Sequence, residues 1–169
     1  MIQVYTGDGK GKTTAAFGLA MRALGHGWRV LVVQFMKGDD QYGEVRTAQR
    51  LANLEVRQFG LKTFVQRGNP GADDVRLAQN GLEFARKAIQ SGNYQLVILD
   101  ELNCAVDYGL VALTEVIRLV QECPAGVELV ITGRNAKPEL IELADLVSEV
   151  REIKHPYQKG IVNRVGIDR

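Results

Sequence analysis

The 169-residue sequence has little of what would set a chain apart from ordinary globular enzymes. Two cysteines, Cys104 and Cys123, are too few for a disulfide framework or a four-cysteine zinc site, so a reduced protein with both thiols packed or half-packed is expected. Four prolines, and no stretch where Gly, Ser and Pro accumulate, exclude collagen-like and disordered chains and supply no linker; one domain over residues 1–169 is expected. No apolar run approaches the roughly 18 residues of a membrane span, the longest lying near 30–33 and 96–99. The N-terminus lacks the charged region and apolar stretch of a signal peptide. A soluble, cytoplasmic protein without a membrane partner follows as the expectation. Charge of one sign is also missing: 21 basic against 20 acidic residues leave +1, which gives no general field for DNA. An anionic ligand must therefore be held by a local cluster.

Glycine is what the chain has in excess, 18 of 169 residues against roughly 7% in average proteins. Its positions follow the rhythm of the chain. Short aliphatic runs at 2–5, 29–35, 54–59, 95–99, 128–132 and 146–153 alternate with helix-period segments at 13–24, 43–51, 72–90, 113–121 and 137–144. That alternation predicts βα units on a mostly parallel sheet of about six strands flanked by helices. The run at 29–35 is apolar enough to be buried on both faces, whereas 54–59 alternates and reads as more exposed. The polar stretch 60–71 reads as a mobile loop, and the tail 154–169 has no clear period.

The first strand runs into Thr6-Gly7-Asp8-Gly9-Lys10-Gly11-Lys12-Thr13-Thr14 at the start of a helix. A glycine-rich turn opening onto a helix N-terminus presents free N–H groups and the positive end of the helix dipole to an anion. Gly7, Asp8, Gly9, Lys10, Gly11, Lys12, Thr13 and Thr14 are thus candidate triphosphate contacts, with Lys12 as counter-charge and the Thr13 hydroxyl placed for Mg²⁺. Asp100 and Glu101, ending the apolar strand at 95–99, are candidates to complete the metal shell. These features specify a three-layer RecA-like P-loop fold, and the position of Lys12 rules out a dinucleotide fingerprint. The loop departs from the usual G-x-x-x-x-G-K-[ST] spacing: five positions before Gly11 stands Thr6, so counted from Gly7 the loop is one residue short. Strand ends of such a sheet gather ligands, which adds Arg134, after Thr132-Gly133, as a phosphate candidate.

General-base chemistry is harder to find. His26 sits in a helix-to-strand turn and His155 precedes Pro156, neither with an acid or serine partner at readable spacing; both read as solvated or packing residues. Cys104 has no neighbouring cation in sequence to make it a nucleophile, and Asp145 and Glu149 read as surface or capping charges. Two readings remain beside the one developed next: a small P-loop kinase or ATPase acting on another acceptor, and a RecA-like nucleotide-dependent binding module.

Residues 5–27, 32–38 (VVQFMKG), 97–102 (VILDEL), 130–134 (VITGR), 139–150 and the tail from Lys154 to Asp168, nearly the whole chain, resemble the P-loop family of ATP:corrinoid adenosyltransferases. The resemblance implies transfer of the 5′-deoxyadenosyl group of ATP to Co(I) of cobalamin, cobinamide or cobyrinic acid diamide, with release of triphosphate. It implies a loop that grips the terminal phosphate, so that the 5′ carbon faces the cobalt nucleophile and no general base is needed. In that arrangement Lys12, Thr13 and Glu101 carry the catalytic roles, and Arg22 is a further nucleotide-contact candidate. A flavoprotein reductase and a homodimer are the implied partners, and Mg²⁺ the cofactor. Family members commonly place Phe-x-Trp after the third strand, where the aromatics displace the lower axial ligand of the corrinoid. Here that loop offers Leu61 and Phe64 as candidate substitutes. Many members also carry an N-terminal segment over the site, whereas this chain starts at its first strand, so closure and dimer contact are expected to differ.

Overall fold

A computed structural model of the chain describes residues 1–168. Its elements run β1 (Ile2–Thr6), α1 (Lys12–Gly25), β2 (Val30–Phe35), α2 (Gly43–Ala48), β3 (Leu54–Phe59), α3 (Ala72–Gln90), β4 (Leu96–Asp100), α4 (Leu102–Asp107), α5 (Leu113–Gln121), β5 (Glu128–Thr132), α6 (Pro138–Leu143) and β6 (Leu146–Glu149), with a 3₁₀ turn at Pro156–Lys159. The strands form one sheet in the order β3-β2-β4-β5-β1-β6, and every pairing is parallel. The sheet has no antiparallel member, a stricter outcome than "mostly parallel".

Strand period two divides the apolar residues between two helix layers. Leu31, Val33 and Phe35 of β2, Val97 and Leu99 of β4, and Leu129 and Ile131 of β5 pack toward α3, α4, α5 and α6. Val30, Val32, Leu96, Ile98 and Val130 face α1, whose Ala16, Ala20 and Ala23 are small enough for the helix to lie close on the sheet. The all-buried β2 and β4 are the inner strands that continuous apolar runs require, while β3 and β6 form the edges. β5 separates β1 from β4, so the phosphate loop after β1 and the acidic pair after β4 stand across one intervening strand, as in RecA-like folds.

Two boundaries differ from the sequence reading by more than one residue, and one α-helix is additional. β6 ends at Glu149, not at 153, because Val150 turns to the phosphate loop: its N–H donates to the Thr6 carbonyl, and its carbonyl accepts from Gly9 N–H. α2 stops at Ala48 rather than 51. α4 was not expected at all; it is only six residues long and follows β4 with a single intervening residue, too short for a helical period to show. No helix among the described residues is long and apolar enough to cross a membrane.

Gly81 marks where α3 lies tightest on the sheet, since a Cβ there would stand 2.9 Å from Phe59 Cβ and 3.1 Å from Phe35 Cε1. A Gly→Ala change in a helix normally gains about 1 kcal/mol of propensity. Here overpacking outweighs that gain, and Gly81→Ala is expected to lower the unfolding free energy by about 1–2 kcal/mol in urea titration.

Candidate active site

The C-terminal edge of the sheet is built from strand ends that bend abruptly. Gly7 after β1, Met36 after β2, Glu101 after β4 and Gly133 after β5 all take positive φ, at 96°, 59°, 64° and 127°. For Met36 and Glu101 this backbone is strained, and strain of this kind collects where function holds it in place. Each bend turns the following residue across the edge: Lys37 from β2, Arg134 from β5, and the phosphate loop from β1.

Asp100 lies at the centre, fully buried. Its Oδ1 accepts from the Thr13 and Thr132 hydroxyls at 2.8 Å each, and its Oδ2 from Lys37 Nζ at 2.8 Å and Gln34 Nε2 at 3.2 Å. Burial opposes the charge of both Asp100 and Lys37, yet each is overruled by its partner: the ammonium holds the carboxyl below its usual range, and the carboxylate holds the ammonium above its own. Lys37 and Gln34 are not among the candidate site residues, although both fall within the VVQFMKG segment; only the sheet order puts β2 beside β4 and so brings them to Asp100.

The phosphate loop is wound around Lys12. Lys12 is 7% exposed, and its ammonium donates to the carbonyls of Gly7 at 2.6 Å and Gly9 at 2.8 Å. Burial pulls its pKa down, against the attraction of Glu101. The first glycines serve the chain as well as a ligand: a Cβ on Gly9 would stand 2.7 Å from the Arg151 carbonyl, and one on Gly7 closer still, 2.5 Å from the Val150 carbonyl oxygen. A segment far along the sequence thus braces the loop from behind.

The remaining candidates fall into two groups. Arg134 Nη2 donates to the Asp8 carbonyl at 3.2 Å, and its Nε lies 3.8 Å from the Asp8 carboxylate, so both stand at the loop. Lys10 is drawn outward to the tail, pairing with Asp168 at 2.6 Å, which Arg164 holds in turn. Asp168 was legible only as part of the resemblance in the tail, because no local pattern ties it to Lys10. Thr14 is exposed on the first turn of α1. Arg22 is not gathered in: it occupies the last turn of α1, about 15 Å along the helix from Lys12. His26 stands at the C-terminal cap of α1, and His155 accepts from Tyr157 N–H through Nδ1. Asp145 likewise caps, accepting from Ile2 N–H at 2.7 Å.

Cys104 sits at the edge of this site, where its sulfur accepts from Arg134 N–H at 3.2 Å. Burial first, and then the neighbouring Glu101, push its pKa up to about 12, so it stays a thiol and is no nucleophile at neutral pH. Asn103 donates to the Gly133 carbonyl at 3.3 Å and leaves its buried Oδ1 without a partner among the described residues.

Among the described residues no group of three His, Cys, Asp or Glu side chains converges as a closed metal cage. Mg²⁺ does not need one, since it keeps water and takes substrate phosphates beside one or two oxygen ligands. The Thr13 hydroxyl and the half-exposed Glu101 carboxylate fit that chemistry as hard oxygen donors. Asp100 fits less well as a direct ligand, because four donors already occupy its two oxygens.

Comparison with known proteins places this edge in a family. The sequence matches the family described as ATP:corrinoid adenosyltransferase BtuR/CobO/CobP over residues 1–168. A corrinoid adenosyltransferase of Sinorhizobium is 40% identical over 170 residues, covering 99% of this chain and 79% of the relative. One from Escherichia coli is 38% identical over 169 residues, covering 99% and 85%, and one from Pseudomonas aeruginosa is 36% identical over 168 residues, covering 99% and 83%. With the match running through the phosphate loop, the Asp100 network and the tail alike, the chain belongs to the ATP:corrinoid adenosyltransferase family.

Proposed function

We propose that this protein, acting as one nucleotide-binding domain, transfers the 5′-deoxyadenosyl group of ATP to the Co(I) centre of a corrinoid. The C5′–O bond of ATP breaks, the cobalt electron pair forms the Co–C bond, and inorganic triphosphate leaves. The observation that carries this reading within the family is the short loop wound on Lys12 and braced by Val150 and Arg151. It is suited to gripping a polyanionic leaving group. Co(I) supplies its own electron pair, so the reaction needs no general base.

In this reading Lys12 exchanges the Gly7 and Gly9 carbonyls for phosphate oxygens and offsets the charge that develops on the departing triphosphate. Lys10, Arg134 and the loop N–H groups, from Gly7 to Thr14, add to that field. Thr13 and Glu101 would hold Mg²⁺, which when bound supplies further neutralisation of the phosphates. Asp100 accepts the hydrogen bond of the Thr13 hydroxyl and so leaves the hydroxyl's lone pairs free for the metal. Phe64, wholly exposed, and Leu61 present an apolar face to the corrinoid at the end of β3 and act on its lower axial ligand. The acceptor is cobalamin, cobinamide or cobyrinic acid diamide. A flavoprotein reductase delivers the electron, and the working form in the cytoplasm is a homodimer.

The test is anaerobic: protein, chemically reduced corrinoid, ATP and Mg²⁺ are expected to yield the alkyl-cobalt spectrum with stoichiometric triphosphate. ADP and orthophosphate would instead identify a kinase or ATPase. Lys12→Ala is expected to lower kcat at least 100-fold in that assay, and a near-wild-type rate overturns its assignment. Phe64→Ala is expected to slow reductase-dependent adenosylation of cobalamin roughly tenfold while sparing cobinamide, which has no lower nucleotide ligand; this is read by comparing initial rates on the two acceptors.

A further inference from the structure

The loop that carries Phe64 is anchored by a buried carboxylate with no part in the chemistry above. Asp107 ends α4, and its side chain is only 6% exposed. A helix C-terminus is an unfavourable place for an acid, so helix stability does not account for it. Three groups from two other segments converge on its oxygens. Arg67, from the 60–71 loop, pairs with Oδ2 at 2.8 Å, and its guanidinium lies 5.9 Å from the centre of the neighbouring Tyr108 ring. Asn135 Nδ2 donates to Oδ2 and Lys137 Nζ to Oδ1, each at 2.9 Å. Asn135 is itself held at a φ of 57°, and it follows Arg134, whose guanidinium reaches Asp8 of the phosphate loop.

We propose that Asp107 is a positioning residue that fixes two loops at once, through Arg67 the loop presenting Phe64 to the corrinoid, and through Asn135 and Lys137 the loop presenting Arg134 to the nucleotide. The inference rests on the adenosyltransferase reading for what the loops touch, and on the contacts themselves for the clamp. At one end, the carbonyl of Gly60 packs directly against Gly38. Val65 packs on the core, and Arg67 closes the other side, so Phe64 is the exposed point of a tethered loop. Removing Arg67 frees that arm alone, because Lys137 and Asn135 still satisfy the carboxylate.

Two readouts test it. Chymotryptic cleavage after Phe64 in the full-length protein, followed by mass spectrometry, is expected to be roughly 5- to 20-fold faster in Arg67→Ala, the loss of one ion pair and one cation–π contact. KM for the corrinoid is expected to rise by a similar factor, with KM for ATP within twofold of wild type. Arg67→Lys restores most of both, and Lys137→Met shifts KM for ATP instead. Wild-type cleavage and corrinoid KM in Arg67→Ala overturn the proposal, as does a fall in kcat with both KM values unchanged. If the wild type forms no Co–C bond, the functional reading fails and the cleavage comparison alone decides the clamp.

Discussion

The Asp100 carboxylate, sealed at the end of β4, is the constraint on which the rest of the edge depends. A fully buried charge is tolerated only when its partners are present and hydrogen-bonded, and removing one partner of such a pair costs about 3–5 kcal/mol. Here the partners come from β2 (Gln34), the turn after it (Lys37), the start of α1 (Thr13) and the end of β5 (Thr132). They meet only if β2, β4 and β5 are parallel, adjacent and in register, with α1 seated beneath them. The network thus specifies the sheet order as well as aiming the threonine hydroxyl.

The same edge concentrates backbone strain. Positive φ at Met36 and Glu101 carries a cost of order 1–2 kcal/mol each, which the surrounding packing has to overcome. At Met36 the turn drops Lys37 onto Asp100; at Glu101 it starts α4 without a loop and leaves the Glu101 carboxylate half-exposed beside Lys12 and Cys104. A thiol in that position is kept protonated by its surroundings, so the site holds several polar groups but no activated protein nucleophile. That composition suits a reaction in which the substrate brings the attacking electron pair.

The glycines show how far sequence reading reaches and where it stops. Gly7, Gly9 and Gly11 are recognisable as a phosphate loop, and their one-residue shortage against the usual spacing is visible from counting alone. That Gly7 and Gly9 are also needed to let Val150 and Arg151 pass behind the loop is invisible, because more than 140 positions separate the two segments. β6 shows the same limit: its apolar run continues past Glu149, but the pull of the loop on Val150 ends the ladder sooner than periodicity suggests. Arg22 shows what the helical rise does to a basic residue on the same helix, setting it at the far end of α1 from the loop.

Local and periodic signals in the sequence determined the class of fold, the six strands, the long α3, the phosphate loop with Lys12 and Thr13, and the acidic pair at the end of β4. These depend on spacing and on the residue types that a turn or a buried strand demands. Tertiary structure alone decided that Lys37 and Gln34 belong to Asp100, that Asp168 takes Lys10 and Asp107 takes Arg67, and that α4 begins immediately after β4. The pairings are contacts between segments distant in the chain, which leave no period to read, and α4 is too short for a helical period to show.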